Sequence, residues 1–335
     1  MTKSEDHRND PQEQLVMIGH NGNETKNSAL SDSALAGGLS GALTRLLLQP
    51  LDVIKTRFQL QVEPISRKHE TSKYRSMSQA VKVICQEETV FALWKGHVSA
   101  QILSVMFGVA QFTVYEELTK VTTHLNTDSF HGTALNFCSG GIASGFATII
   151  SFPFDLVRTR FIAQGQTKAY TSVYDAVAKI IRVEGFKGLY KGLTPTLIQS
   201  APYGACQFGY FTIFSKIDAN FHVFSQTSDG SKSTSSSLTA GFLAGMCAKA
   251  TTYPLDLSRK RLQIQGFHEA RKGFGKAFIC NGFIDCLVKI YAEESFKGFF
   301  KGLQPSLLKS AVTTSLYFAF YEQILEFLRM NSQSH

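Results

Sequence analysis

No charged side chain occurs between Gly192 and Ser215 or between Thr133 and Phe154, and none between Gly96 and Tyr115 if His97 is counted as neutral. Each run is long enough to cross a hydrocarbon core of about 30 Å. Core helices of a soluble protein read the same way once, but three such runs in 335 residues favour membrane spans. The six cysteines show no Cys-x-x-Cys and no ligand spacing, which argues against a zinc module and a disulfide framework. Several fall inside apolar stretches, where a thiol serves as a small hydrophobe. There is no glycine-rich phosphate loop and no Ser/His/Asp constellation, and the nine histidines are scattered. His97 beside Gly96 reads as interfacial. We therefore expect neither an enzyme, nor a metal site, nor a cofactor. The start of the chain carries Glu5, Asp6 and Asp10 without an apolar core, unlike a signal peptide or an Arg-rich transit peptide.

What the chain does have, it has three times. Pro50-Leu51-Asp52-Val53-Ile54-Lys55, Pro153-Phe154-Asp155-Leu156-Val157-Arg158 and Pro254-Leu255-Asp256-Leu257-Ser258-Arg259 stand roughly a hundred residues apart. Each is followed by a second base (Arg57, Arg160, Arg261) and then by Gln61, Gln164 or Gln265. A carboxylate and a cation three residues apart share one helical face. A single copy would be a surface ion pair on a kinked helix; three in register are a repeat.

Taken in order, residues 1–30 are polar and read as a disordered tail. Repeat 1 is expected over 31–120, repeat 2 over 132–217 and repeat 3 over 237–328. A Ser/Thr-rich linker fills 218–236, and 329–335 form a C-terminal tail. Before each proline lie small residues at matching offsets: Gly37 and Gly41 (then Arg45), Gly140 and Ser144, Gly241 and Gly245. That spacing predicts close helix approach in lipid. After each Pro-x-Asp motif comes a basic loop with a short amphipathic pattern (Ala80, Val81, Val83, Ile84; Val177, Ile180, Ile181; Ile284, Leu287, Val288, Ile290), read as a helix on the membrane surface. Leu93-Trp94-Lys95-Gly96, Leu189-Tyr190-Lys191-Gly192 and Phe299-Phe300-Lys301-Gly302 close these loops as interfacial anchors. Most of the 34 Lys and Arg sit in the three loops, interleaved with carboxylates, a pattern that favours one membrane face over a nucleic-acid stripe. The expected fold is an all-α membrane protein of six transmembrane helices in three pairs, with both termini on the side opposite the basic loops.

Apart from the motif ends, the charges inside the expected spans are Arg45, Lys249 and Lys309, all basic. Intramembrane cations usually face a bundle interior or a wet cavity. Snorkelling from a span end stays open for Arg45 and Lys249. Lys309, about two turns past Gly302, should lie well inside. A cavity holding positive charge alone suggests an anionic solute. The three Asp and three Lys/Arg of the motif fit a closure between neighbouring helices that can break and reform during alternating access.

The Pro-x-Asp-x-x-Lys/Arg triplet with its aromatic-Lys-Gly closures resembles the mitochondrial carrier family, over about residues 33–328. The resemblance implies six tilted helices as three pseudo-threefold tandem repeats, each with a short matrix surface helix. It also implies a central cavity, the mitochondrial inner membrane with both termini facing the intermembrane space, and a monomer. It assigns Asp52, Lys55, Asp155, Arg158, Asp256 and Arg259 to a matrix gate, and Gln59 and Gln263 to a glutamine brace that Ile162 lacks. The family's cytoplasmic gate survives in Glu116 and Glu322, with Thr119 and Leu325 in place of its bases, so that gate would lean on Lys120 and Lys216. The Glu-Gly that precedes the family's closures remains only as Glu184-Gly185, against Glu88-Thr89 and Glu294-Ser295. Substrate-contact positions fall on Leu103, Ser104, Gln199, Ser200, Lys309 and Ser310, with Arg45 or Lys249 assisting. The adenine nucleotide exchanger's signature is absent, since Leu262-Gln263-Ile264 follows Arg261.

Within the family, the stretches Arg57–Gln61, Trp94–Leu103, that leading to Pro202-Tyr203, and Tyr253–Gly266 most resemble one member, and that resemblance implies thiamine pyrophosphate as the transported solute and a nucleotide as the counter-substrate. Lys309 would hold the diphosphate, Gln199 the aminopyrimidine, and Phe107 or Tyr203 would stack on a ring. A broader nucleotide or organic-phosphate carrier, and an uncoupler-type leak, are the alternatives.

Overall fold

A computed structural model describes residues 11–65, 72–124, 129–166, 168–221, 234–267 and 279–333. Among these, the secondary structure is helical throughout. The helices are α1 (Pro11–Leu60), α2 (Met77–Glu87), α3 (His97–His124), α4 (Ser129–Ala163), α5 (Val173–Glu184), α6 (Leu193–Phe221), α7 (Thr234–Gln263), α8 (Phe283–Gly298) and α9 (Leu303–Gln333). Short 3₁₀ turns at Val90–Trp94 and Phe186–Tyr190 precede α3 and α6. The helices form two compact units. One holds the first part of α1 and the end of α9; the other runs from Leu48 to Ala311.

Helix α1 begins at Pro11, so 11–30, expected as a disordered tail, are helical; 1–10 lie outside the described residues. A formed helix extends without a new nucleation cost, and Gln12-Glu13-Gln14-Leu15 are good helix formers. The expected 218–236 linker is helical where described, at its α6 and α7 ends; 222–233 lie outside the described residues.

Helices α1, α4 and α7 run unbroken through Pro50, Pro153 and Pro254. Their buried stripes are small side chains four residues apart. On α1, in the first unit, these are Ala36, Ser40 and Thr44. In the second unit they are Ser139, Ala143, Ala147 and Ser151 on α4, and Ala240, Ala244, Ala248 and Thr252 on α7. On α4 and α7 the buried stripe therefore falls one residue before the small residues that the spacing singled out, whereas on α1 a Cβ on Gly37 would stand 3.3 Å from Tyr317 Oη. A Cβ on Gly140 or Gly245 would meet nothing within 4 Å. Helix α3 lies along α4, where Gln111 donates to Ser144 Oγ (3.0 Å). Helix α6 lies along α7, where Tyr210 and Thr251 share a 3.0 Å hydrogen bond.

The outer faces are apolar. Val98, Val105, Val109 and Phe112 on α3, and Ile142, Phe146 and Ile150 on α4, are exposed. The segments Val90–Val121 and Cys138–Ala163 are long and apolar enough to cross a membrane.

The short helices recur as expected, and their caps repeat. Ser76 and Ser172 accept from the backbone N–H of Gln79 and Asp175. The side chains of Gln79, Asp175 and Asp285 in turn accept from Arg75, Thr171 and Asn281 N–H, the residue before each N-cap; the third N-cap is Gly282, which has no side chain to bond back. Each short helix buries a pair of residues four apart within the second unit (Ala80 and Ile84, Ala176 and Ile180, Cys286 and Ile290), while Ile181, Ile284 and Val288 face outward.

Candidate functional site: a ring of ion pairs and its cations

The Pro-x-Asp motifs meet in the second unit as a closed cycle. Lys55 of α1 pairs with Asp256 of α7 (2.8 Å), Arg259 of α7 with Asp155 of α4 (2.5 Å), and Arg158 of α4 with Asp52 of α1 (2.5 Å). Each cation reaches the carboxylate of a different repeat, so three helices close on one another. Such pairs add little net stability once desolvation is counted.

Each carboxylate also takes a second cation. Asp256 pairs with Lys249 (3.2 Å), Asp155 accepts from Lys260 (3.2 Å), and both oxygens of Asp52 accept from Lys309 Nζ (2.7 and 2.8 Å). Six cations surround three carboxylates, leaving the ring net positive. Gln263 donates to Asp155 (2.5 Å) and Gln59 to Asp256 (3.4 Å) and Tyr253 Oη (3.0 Å), whereas Ile162 offers Asp52 nothing polar. Lys260 was not singled out by sequence. Its contacts with Asp155, Thr159 and Gln263 arise where α7 meets α4, which no spacing reports.

Below the ring a second threefold set appears. Arg57, Arg160 and Arg261 are wholly buried and pair with Glu88, Glu184 and Glu294, the carboxylates that precede the closures. Lys95, Lys191 and Lys301 join the same carboxylates. The remaining donors cap the C-terminus of the next repeat's long helix. Arg57 Nε donates to Ile162 O, and Lys95 to Gln164 and Gly165 O. Arg160 reaches Gln263 and Gln265 O. Arg261 reaches Gln59 and Gln61 O, and Lys301 reaches Gln61 and Val62 O. Cations are favourable at these carbonyl-rich ends. Burial alone would raise the Glu88 and Glu184 carboxyls. The hydrogen bonds and charge of Arg57 and Lys95, and of Arg160 and Lys191, outweigh it and hold both below the usual range. The Tyr74 hydroxyl, which accepts from Arg57, is pushed up to about 12 by burial. The sequence signal for this set was the repetition itself.

Of the expected substrate-contact residues, Leu103, Ser104, Lys309 and Lys249 are half-buried, Gln199 is buried and Ser200 exposed. The hydroxyls of Ser104, Ser200 and Ser310 donate to Ala100, Leu197 and Ser306 O on their own helices, so their oxygens remain as acceptors. Arg45 is exposed on α1 in the first unit. Of the expected cytoplasmic gate, Lys120 pairs within α3 with Glu116 (3.2 Å) and Glu117 (2.9 Å). Lys216 is exposed on α6, and Glu322 on α9 in the first unit.

The described residues thus combine exposed apolar helix faces with a cycle of ion pairs. The chain matches the mitochondrial carrier protein family three times, over residues 26–126, 130–219 and 230–332. It is 42% identical over 295 residues to a mitochondrial thiamine pyrophosphate carrier of Bos taurus, covering 88% of this chain and 92% of that one. It is 41% identical to the Homo sapiens protein of that name (91% and 95%). It is 38% identical to a mitochondrial thiamine diphosphate carrier of Zea mays (90% and 94%). The chain belongs to the mitochondrial carrier family, a family of membrane transporters rather than enzymes, and is a mitochondrial membrane protein.

Proposed function

We propose that this protein carries thiamine pyrophosphate across the mitochondrial inner membrane into the matrix, in exchange for a nucleotide. The observation that carries the reading is identity of 38–42%, over about nine-tenths of the chain, to carriers of that solute from mammals and a plant. On this reading α1, α3, α4, α6, α7 and α9 cross the membrane as six spans in three tandem repeats. The short helices lie at the matrix face, both termini face the intermembrane space, and the monomer is the working unit. Asp52, Lys55, Asp155, Arg158, Asp256 and Arg259 act as the matrix gate, and Gln59 and Gln263 brace it. Lys309 with Lys249 or Arg45 holds the diphosphate, and Leu103, Ser104, Gln199, Ser200 and Ser310 complete the solute site. Glu116, Lys120, Lys216 and Glu322 form a weak outer gate. Neither catalysis nor a resident cofactor is part of the account.

The ring's surplus of cations supports an anionic solute. A diphosphate presents several acceptor oxygens to ammonium donors. A nucleoside diphosphate offers the same charge, so a broader nucleotide carrier is the second reading. Competition of nucleoside di- and triphosphates against labelled thiamine pyrophosphate in proteoliposomes separates them. The first reading expects unlabelled thiamine pyrophosphate to compete far better than any nucleotide. Equal competition by ADP would favour the second.

A further inference from the structure

Asp52 differs from the other two ring carboxylates. Asp155 and Asp256 each accept from a glutamine, Gln263 or Gln59, on the last turn of a long helix. The third position of that set is Ile162, buried and apolar. The space is similar in all three repeats. A Cβ on Gly192 or Gly302 would stand 3.2 or 3.3 Å from Cγ of Gln263 or Gln59, and one on Gly96 would stand 3.3 Å from Cγ1 of Ile162. Only the chemistry of the brace has changed. In its place, Lys309 reaches from α9 and donates to both oxygens of Asp52. Lys249 is not its equivalent, since its single 3.2 Å contact falls on Asp256, which also has Gln59.

We infer that Lys309 is a latch between the solute site and the ring: it holds the one unbraced ring pair, Asp52–Arg158, until an anionic solute draws it away. The inference rests on the proposed solute site for the role of Lys309. A charge-assisted bond from an ammonium cannot serve Asp52 and a diphosphate at full strength together. Binding therefore comes at the expense of the Lys309–Asp52 contact, and by linkage Asp52 lowers solute affinity as much as solute loosens Asp52. Once Lys309 leaves, Asp52 has Arg158 and no glutamine. The edge of the ring between α1 and α4 is then the first to part, ahead of the two edges that keep Gln59 and Gln263.

The test is a mutant cycle on the purified full-length protein in detergent, with Kd for thiamine pyrophosphate and for ADP read by calorimetry. Asp52→Asn keeps the side-chain shape but removes the charge that competes for Lys309, and should tighten binding about tenfold. Lys309→Gln should weaken it. Adding Asp52→Asn to Lys309→Gln should give no tightening. Wild-type affinity in Asp52→Asn, or equal tightening with and without Lys309, overturns the latch. If the pattern holds for ADP while thiamine pyrophosphate does not bind, the latch stands and the solute reading falls. Ile162→Gln gives a second arm should Asp52→Asn fail to fold. It restores the third brace, and exchange should slow several-fold with Kd unchanged. A wild-type exchange rate in this variant also overturns the latch.

Discussion

A Cβ on Gly302 would stand 2.8 Å from the carbonyl oxygen of Lys55, the ring cation of α1. Gly96 and Gly192 face Arg158 O and Arg259 O in the same way, at 3.0 and 3.1 Å, and all three have positive φ (82°, 78° and 89°). Each closure thus seats itself on the backbone of the neighbouring repeat's ring cation, where only hydrogen fits. Gly302→Ala incurs both the strained φ and a backbone clash. It should cost at least about 1–3 kcal/mol, seen as a lower Tm in detergent, and slow exchange by displacing Lys55. A wild-type Tm would show that the closure gives way.

The turn before each closure shows the converse. Gly185 sits at φ 74°, while Ser295 occupies φ 59° and Thr89 φ 151°. Non-glycine residues there are strained by about 1 kcal/mol or more. Ser295→Gly should therefore raise Tm, and Gly185→Ser should lower it. The signs should be opposite although each change alters only one small side chain.

Acid should weaken the second threefold set. Glu88 and Glu184 are held below the ordinary carboxylate value of 4.5. Their folded values lie under their unfolded ones, so their contribution is whole above about pH 4.5 and is lost as pH falls through the folded values. Thermal stability should fall as pH drops below about 4.5. Glu184→Gln leaves buried Arg160 without a counter-charge. It should cost about 3–5 kcal/mol at neutral pH and flatten that acid slope.

Charge reversal should expose Lys260. Exchanging the partners as Asp155→Arg with Arg259→Asp restores the pair but sets Lys260 against a cation, since its Nζ now contacts both Asp155 oxygens. Exchange activity should return only in part, and further with Lys260→Gln added. Full recovery without that third change would mean that Lys260 is incidental.

The ring was legible because its partners occupy the same offset in three copies, and a helix turn places Asp and cation on one face. Its second cations were not. Lys249 and Lys309 stood out as intramembrane charges, but their pairing with Asp256 and Asp52 depends on how neighbouring helices lie together. The packing stripe was displaced by one residue. Gly140 and Ser139, or Gly245 and Ala244, are adjacent and all small, and only the helix azimuth decides which faces the core. The helical start of α1 escaped composition because polar residues extend an existing helix far more readily than they begin one. The Glu88, Glu184 and Glu294 set was visible as repetition, but its link to the following repeat's carbonyls is a tertiary fact.

Labelled thiamine pyrophosphate uptake into proteoliposomes loaded with the same compound, beside liposomes loaded with ADP, tests the central claim most directly. The account predicts fast uptake against internal thiamine pyrophosphate, weakly inhibited by external ADP, and uptake against internal nucleotide as well. Brisk ADP exchange with no thiamine pyrophosphate uptake would contradict the assignment of the solute.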